Sequence, residues 1–258
     1  MEKVNICGLN FSNVTLDETV DLIDRRLSNK ERNKSDFVIV ANQDIINKKR
    51  FIPILTDENL NKAYLITPDG YSIIYAAKIV GARLKERVPG PDLMARVIEL
   101  SAKKGYLNFF LGAREGVAEK MCDNFKKKYP SLKIAGIYSP PFCDRFSDNE
   151  NNKIILMINN SNCDILWVSF GCPKQEMWIV ENIDKLKVPL VIGIGAAFDF
   201  YAGTLKRAPK FIQSLRLEWF YRFLQEPKRL FKRYFIGGFQ FLNLVLKDRK
   251  YKKRSNIK

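Results

Sequence analysis

Short apolar runs alternate with stretches whose apolar residues recur every three or four positions through the first 203 residues. The runs are Phe37–Ala41, Ala63–Thr67, Leu107–Gly112, Lys133–Tyr138, Ile165–Phe170 and Leu190–Gly193, and each is of strand length. Between them, helical spacing spans about Thr15–Ser28, Ile45–Ile54, Gly70–Ile79, Pro91–Lys104, Gly116–Lys128, Asp148–Asn159 and Pro173–Ile183. Strands and helices in alternation predict βαβ units and a mostly parallel sheet. The later runs, ILWVSF and PLVIGIG, have no polar alternation, as expected of strands covered by helices on both faces. The predicted fold is α/β, a doubly wound, Rossmann-like sheet over residues 1–203, with a helical appendage over 204–258.

Ligands of such sheets bind beyond the carboxyl ends of the strands. Polar and glycine-rich residues collect at five of those ends. They are Asn42 to Asp44, Thr67 to Gly70, Gly112 to Gly116, Gly171 to Glu176, and Gly195 to Asp199. The third, LGAREG, offers a helix N-terminus to an anion but lacks a dinucleotide or triphosphate fingerprint. Asp69, in TPDG, has two readings: an N-cap for the following helix, or a carboxylate that accepts a proton from an attacking hydroxyl. Asp199, Asp92 and Asp44 compete for the second role. Arg87, among the prolines of RVPGPDLM, is either an exposed side chain or a bidentate phosphate ligand. Gln175, in GCPKQE, either caps its helix or hydrogen-bonds a ligand.

Charge changes the picture at one end. The chain of 258 residues carries a formal net charge of +16, yet 16 Lys and Arg face three acids within Thr204–Lys258 alone. Eleven of the 31 aromatic residues share that segment, in runs such as EWFYRFLQEPKRLFKRY. Basic heads interleaved with rings suit an anionic bilayer surface, where each Lys or Arg contributes about 1 kcal/mol. Arg207, Lys210, Arg216, Lys228, Lys232 and Arg233 are the expected leaflet cations, with Trp219, Phe220, Phe223, Phe231, Phe235 and Phe239 in the interface. The stretch after Lys247 reads as a frayed, solvated anchor. Helical spacing covers Leu215–Gln225, and Pro227 is placed to start a second helix. A nucleic acid would also meet positive charge, but no reading motif is present, so no nucleic-acid partner is expected. The best apolar stretch, Tyr234–Leu246, falls short of the roughly 20 residues that cross a bilayer. MEKVNICGLNFSN lacks a secretory pattern, so a cytoplasmic, peripherally membrane-bound protein is predicted. An apolar face of the core leaves room for a homo-oligomer.

Histidine is absent, which removes the usual neutral-pH base and the commonest metal ligand. Five cysteines without CxxC spacing argue against a disulfide framework or a zinc knuckle.

TPDG, RVPGPDLM, FGCPKQEMW, GIGAAFDFYAG and EWFYRFLQEPKRLFKRY occur in this order. Together they resemble the WecG/TagA/CpsF family of bacterial glycosyltransferases from about Asn5 to Tyr234. The resemblance implies inverting, metal-independent transfer of a sugar, typically N-acetylmannosamine or its uronic acid, from a UDP donor. The acceptor it implies is a sugar on polyprenyl diphosphate, in cell-wall or surface polysaccharide synthesis. It makes Asp69 the base, puts Asn42, Arg87 and Gln175 in the pocket, and gives Arg222, Arg229 and Lys232 to the diphosphates. Thr67, at the end of its strand, is added as a substrate contact. No metal site and no cofactor are expected, since fixed cations can neutralise a leaving diphosphate and no DxD motif is present. Two positions depart from the family pattern: Val40 where threonine is common, and Lys232 where arginine is common. Lysine keeps the charge but loses the bidentate fork.

Overall fold

A computed structural model describes residues 1–29 and 34–255. Along the chain run β1 (Lys3–Ile6), β2 (Leu9–Ser12), α1 (Leu16–Ser28), β3 (Asp36–Ala41), α2 (Gln43–Lys48), α3 (Asp57–Asn61), β4 (Leu65–Pro68), α4 (Tyr71–Ile79) and α5 (Gly90–Lys104). There follow β5 (Leu107–Gly112), α6 (Val117–Lys128), β6 (Lys133–Tyr138), α7 (Asp148–Asn160), β7 (Ile165–Ser169), α8 (Lys174–Asn182), β8 (Leu190–Gly193) and α9 (Ala197–Ala202). The C-terminal segment holds α10 (Lys210–Ser214), α11 (Glu218–Gln225), α12 (Pro227–Phe231), a π-helical turn at Lys232–Ile236, and α13 (Gly237–Ser255).

Six strands pair in parallel in the order β4-β3-β8-β7-β5-β6, with helices on both faces. Two apolar layers result. Ile39, Ile66, Phe109, Leu166 and Val191 face one; Val38, Leu65, Phe110, Trp167 and Ile192 face the other. Every residue of β7 is buried, which is why that run reads as unbroken hydrophobicity. Among the buried polar residues of the sheet, Asn108 accepts from the Trp167 indole at 2.9 Å.

Several local expectations change. The helix expected over Ile45–Ile54 ends at Lys48 and continues only as a 3₁₀ turn at Lys49–Phe51. The β1-β2 hairpin and α3 were not anticipated, because four- and five-residue elements carry too little periodicity. Its two-residue turn puts both Cys7 (φ 50°) and Gly8 (φ 87°) in the left-handed region, the geometry that matches strand twist. A Cβ on Gly8 would also strike the Asp57 carboxylate. Residues Ala197 to Asp199, expected in a loop, belong to α9.

The largest correction concerns the end of the chain. Rather than fraying after Lys247, residues Gly237–Ser255 form α13, docked on the core. Phe241 and Val245 are buried within the first apolar layer. Asn47 donates to the Gly237 carbonyl at 2.8 Å, and Asp248 accepts from the Cys7 amide at 2.9 Å. Lys252 bonds Asp248 and the Asn5 carbonyl. Pro227 occupies the first turn of α12, as its fixed φ favours. All five cysteines are free thiols.

Candidate active site

A cavity of about 820 Å³ opens at the carboxyl edge of the sheet. Its walls come from the ends of β3, β4, β7 and β8, the turn at Pro89–Pro91, and residues 215–234 above. Four of the five predicted loops contribute. Gly112–Gly116 does not line it, because β5 lies beyond β7 and is separated from β3 by two strands and from β4 by three.

Asp69 follows β4 directly, and its amide bonds the Ala41 carbonyl at 2.9 Å, which ties the two strand ends together. It does not cap α4: Gly70 stands at that cap, without a side-chain bond. The Asp69 carboxylate instead lines the cavity and accepts from the Gly90 amide at 3.2 Å and Asn42 Nδ2 at 3.5 Å. Asn42 is fixed in turn, since its Oδ1 accepts from the Asp44 amide at 2.9 Å and caps α2. A Cβ on Gly90 would approach the Ile194 carbonyl at 3.2 Å, so glycine lets this backbone come close.

The three rival aspartates are otherwise engaged. Asp92 takes the Arg207 fork at 2.5 and 2.8 Å. Asp44 is buried between Lys48 at 2.9 Å and Arg233 at 3.6 Å. Asp199 accepts from Thr204 Oγ1 at 3.1 Å. None of the three lines the cavity.

Arg87 is neither exposed nor free. It donates to Glu218 at 2.9 Å, and its guanidinium lies 4.9 Å from the Tyr71 ring centre. Glu218 also accepts from Arg207 Nε at 3.1 Å. Asp92, Arg207, Glu218 and Arg87 therefore form one chain of charges that pins the start of the C-terminal segment to the core.

Gln175 is buried in the first turn of α8. Its Oε1 accepts from the Gly195 amide at 2.9 Å and its Nε2 donates to Glu176 at 2.8 Å, joining the ends of β7 and β8. Glu176, to which sequence reasoning gave no role, is a buried carboxyl in the cavity wall whose second oxygen has no partner. Burial pushes its pKa up to about 7. Between about 4.5 and 7, folded protein holds a proton that the unfolded chain has released. Stability is therefore expected to fall across that window and level off above it. Glu176→Gln should remove this slope from the pH dependence of the urea midpoint; an unchanged slope would refute the assignment.

Thr67 sits inside β4, fully buried and away from the cavity, its hydroxyl without a partner. Arg222 and Arg229 both line the cavity. Arg222 lies over the Phe200 ring at 5.4 Å with its Nε buried and unpaired, and Arg229 bonds Glu226 at 2.5 Å. Lys232 is exposed and does not line the cavity; Arg233 does. The π-helical turn beginning at Lys232 explains the shift by one position, because five-residue spacing rotates the inward face away from that of a regular helix. Of the six expected leaflet cations, Arg207, Arg216 and Arg233 are engaged with the core or the cavity. Among the described residues no cluster of three His, Cys, Asp or Glu side chains gathers as metal ligands, and no helix is long and apolar enough to cross a membrane.

Residues 4–255 match the model of the glycosyl transferase WecG/TagA/CpsF family. Similar curated proteins include two from Staphylococcus aureus, strains MW2 and NCTC 8325, each named N-acetylglucosaminyldiphosphoundecaprenol N-acetyl-beta-D-mannosaminyltransferase. Each is 29% identical over 228 residues, covering 88% of this chain and 87% of the relative.

Proposed function

The chain belongs to the WecG/TagA/CpsF family of glycosyltransferases, and from that premise we propose that it transfers N-acetylmannosamine from a UDP donor to N-acetylglucosamine carried on polyprenyl diphosphate. The transfer inverts the anomeric carbon and uses no metal ion. Asp69 accepts the proton of the acceptor hydroxyl as that oxygen attacks the anomeric carbon. The bond from that carbon to the β-phosphate oxygen breaks, and UDP leaves with the electron pair. One carboxylate suffices for this step.

The observation that carries the reading is the position of Asp69, alone among the four candidate aspartates, in a cavity also lined by Arg87, Arg216, Arg222, Arg229 and Arg233. Charge developing on the diphosphate is met by guanidinium groups already in place, whose planar forks match phosphate oxygens. Asn42 and the Gly90 amide hold the base in position. The names of the two staphylococcal relatives favour N-acetylmannosamine as the sugar and N-acetylglucosamine on undecaprenyl diphosphate as the acceptor.

The acceptor's lipid requires the enzyme to reach a bilayer, here the cytosolic leaflet. Phe211, Leu224, Phe231 and Phe239 are more than half exposed on the C-terminal segment, and a surface of this kind beside lysines suits the headgroup layer. Lys210, Lys228 and Lys232 are exposed beside them. The test is a screen of UDP-sugars against a short-chain polyprenyl-diphosphate N-acetylglucosamine acceptor, in EDTA, reading UDP release. UDP-N-acetylmannosamine should give acceptor-dependent release undiminished by EDTA. Release only with another sugar, or only with added divalent metal, would overturn the corresponding part of the proposal.

A further inference from the structure

Arg216 occupies a place where the backbone favours glycine. The Arg216 amide bonds the Gln213 carbonyl at 2.9 Å and the Leu217 amide bonds that of Ile212 at 3.0 Å, the paired pattern that ends α10 in a Schellman turn. Arg216 is its left-handed residue, with φ 62°. Glycine would adopt that conformation without steric cost, so the local turn gives no reason for a long cationic side chain.

The side chain is nevertheless held. Nη1 donates to Tyr75 Oη at 2.8 Å, and the guanidinium lies 5.0 Å from the Tyr71 ring centre. Tyr71, Tyr75 and Arg216 all line the cavity. Charge sets Arg216, like Arg222, apart from the other arginines of the cavity. Among the described residues, Arg87 pairs with Glu218, Arg229 with Glu226 and Arg233 with Asp44, whereas Arg216 meets no carboxylate. Arg216 is itself exposed, beside a surface rich in apolar side chains that include Leu215 and Trp219. A cation fixed by a tyrosine, unneutralised, and set where a polar cavity meets an apolar surface fits a ligand that is an anion at one end and a hydrocarbon at the other.

We propose that Arg216 binds the diphosphate of the lipid-linked acceptor, with Tyr75 as the residue that positions it. This rests on the acceptor assigned above and adds to Arg222 and Arg229 a ligand from the turn that precedes α11. Two sources of phosphate meet this chemistry, a lipid diphosphate in the cavity and the bulk headgroups of an anionic bilayer.

The experiment compares the full-length protein with Arg216→Gly, Arg216→Lys and Tyr75→Phe. Binding of farnesyl diphosphate is measured by calorimetry in saturating UDP, and binding to phosphatidylglycerol vesicles by sedimentation. Arg216→Gly relieves the left-handed turn, so its Tm should match or exceed the parent's, which guards against a misfolded variant. Its affinity for farnesyl diphosphate should fall roughly tenfold, the loss of one charge-assisted, forked contact. Arg216→Lys should recover only part of that loss. Tyr75→Phe should weaken binding less and be without effect in the Arg216→Gly background. In turnover, Arg216→Gly should raise the KM for the acceptor and leave that for the donor unchanged. Equal affinity of parent and Arg216→Gly for farnesyl diphosphate, or a loss confined to vesicles, would overturn the proposal. Failure of the functional reading is separately visible: no UDP-sugar would then support transfer, while farnesyl diphosphate binding would still answer to residue 216.

Discussion

Asp69→Asn is expected to lower the rate of sugar transfer about 10³-fold, the middle of the range for a lost general base, while leaving the fold and UDP affinity intact. The amide is nearly isosteric, so packing at the end of β4 is preserved. It can still accept from the Gly90 amide that now meets Oδ1 at 3.2 Å. What it lacks is basicity. Circular dichroism and UDP titration should match the parent while single-turnover transfer collapses. Unchanged turnover would remove Asp69 from the mechanism. Asp92→Asn and Asp199→Asn provide the contrast, since neither carboxylate lines the cavity. Asp92→Asn should mainly loosen Arg207, which both Asp92 oxygens hold, and its effect should appear in stability before it appears in the rate.

The second large effect lies far from the chemistry. Phe241→Ala should destabilise the protein by about 3 kcal/mol, as truncations of well-buried phenylalanines do. Phe241 is 5% exposed and packs with Val245 in the same apolar layer as Ile45 and Ile73. Urea denaturation followed by tryptophan fluorescence gives the number directly. A frayed C-terminal tail would show no change. The docking of α13 also alters how the segment above the cavity can be tested. Cutting the chain after Gly203 would uncover core side chains as well as remove Arg222 and Arg229, so single substitutions within α11 and α12 are the cleaner probes.

Much of the fold was legible because a sheet covered on both sides leaves an unambiguous trace. Runs such as those of β7 and β8 have no wet face and therefore no polar alternation. Strand order was not legible, since apolar runs do not state their neighbours, and so the glycine-rich turn after β5 was counted among the site loops although two strands separate it from β3. The strands of the hairpin and α3 are too short to leave a periodic trace. Docking of α13 was hidden by its composition: Lys247, Arg249, Lys250, Lys252 and Lys253 dominate the reading, while the contacts that seat it come from Phe241, Val245 and the single acid Asp248.

The site divides in the same way. Asn42, Asp69 and Gln175 were legible because they terminate strands or begin helices at the binding edge, and the cavity brings all three together. The rest depended on contacts between residues distant in sequence. Arg87 meets Glu218 across 131 positions, an ion pair that no local pattern announces. Arg233 replaces Lys232 at the cavity because a π-helical turn shifts the phase of the chain, and a regular 3.6-residue period cannot anticipate that shift. Glu176 has no role legible in the sequence because a glutamate in the first turn of a helix ordinarily faces solvent and favours the helix dipole; burial raises its pKa although the Gln175 hydrogen bond opposes the shift.

The stereochemistry of the product decides whether one carboxylate carries the transfer. A single displacement assisted by one carboxylate inverts the anomeric carbon. With α-configured UDP-N-acetylmannosamine and the lipid-linked N-acetylglucosamine acceptor, NMR of the disaccharide should therefore show a β linkage with UDP released in equal amount. An α-linked product would contradict the one-base mechanism centred on Asp69.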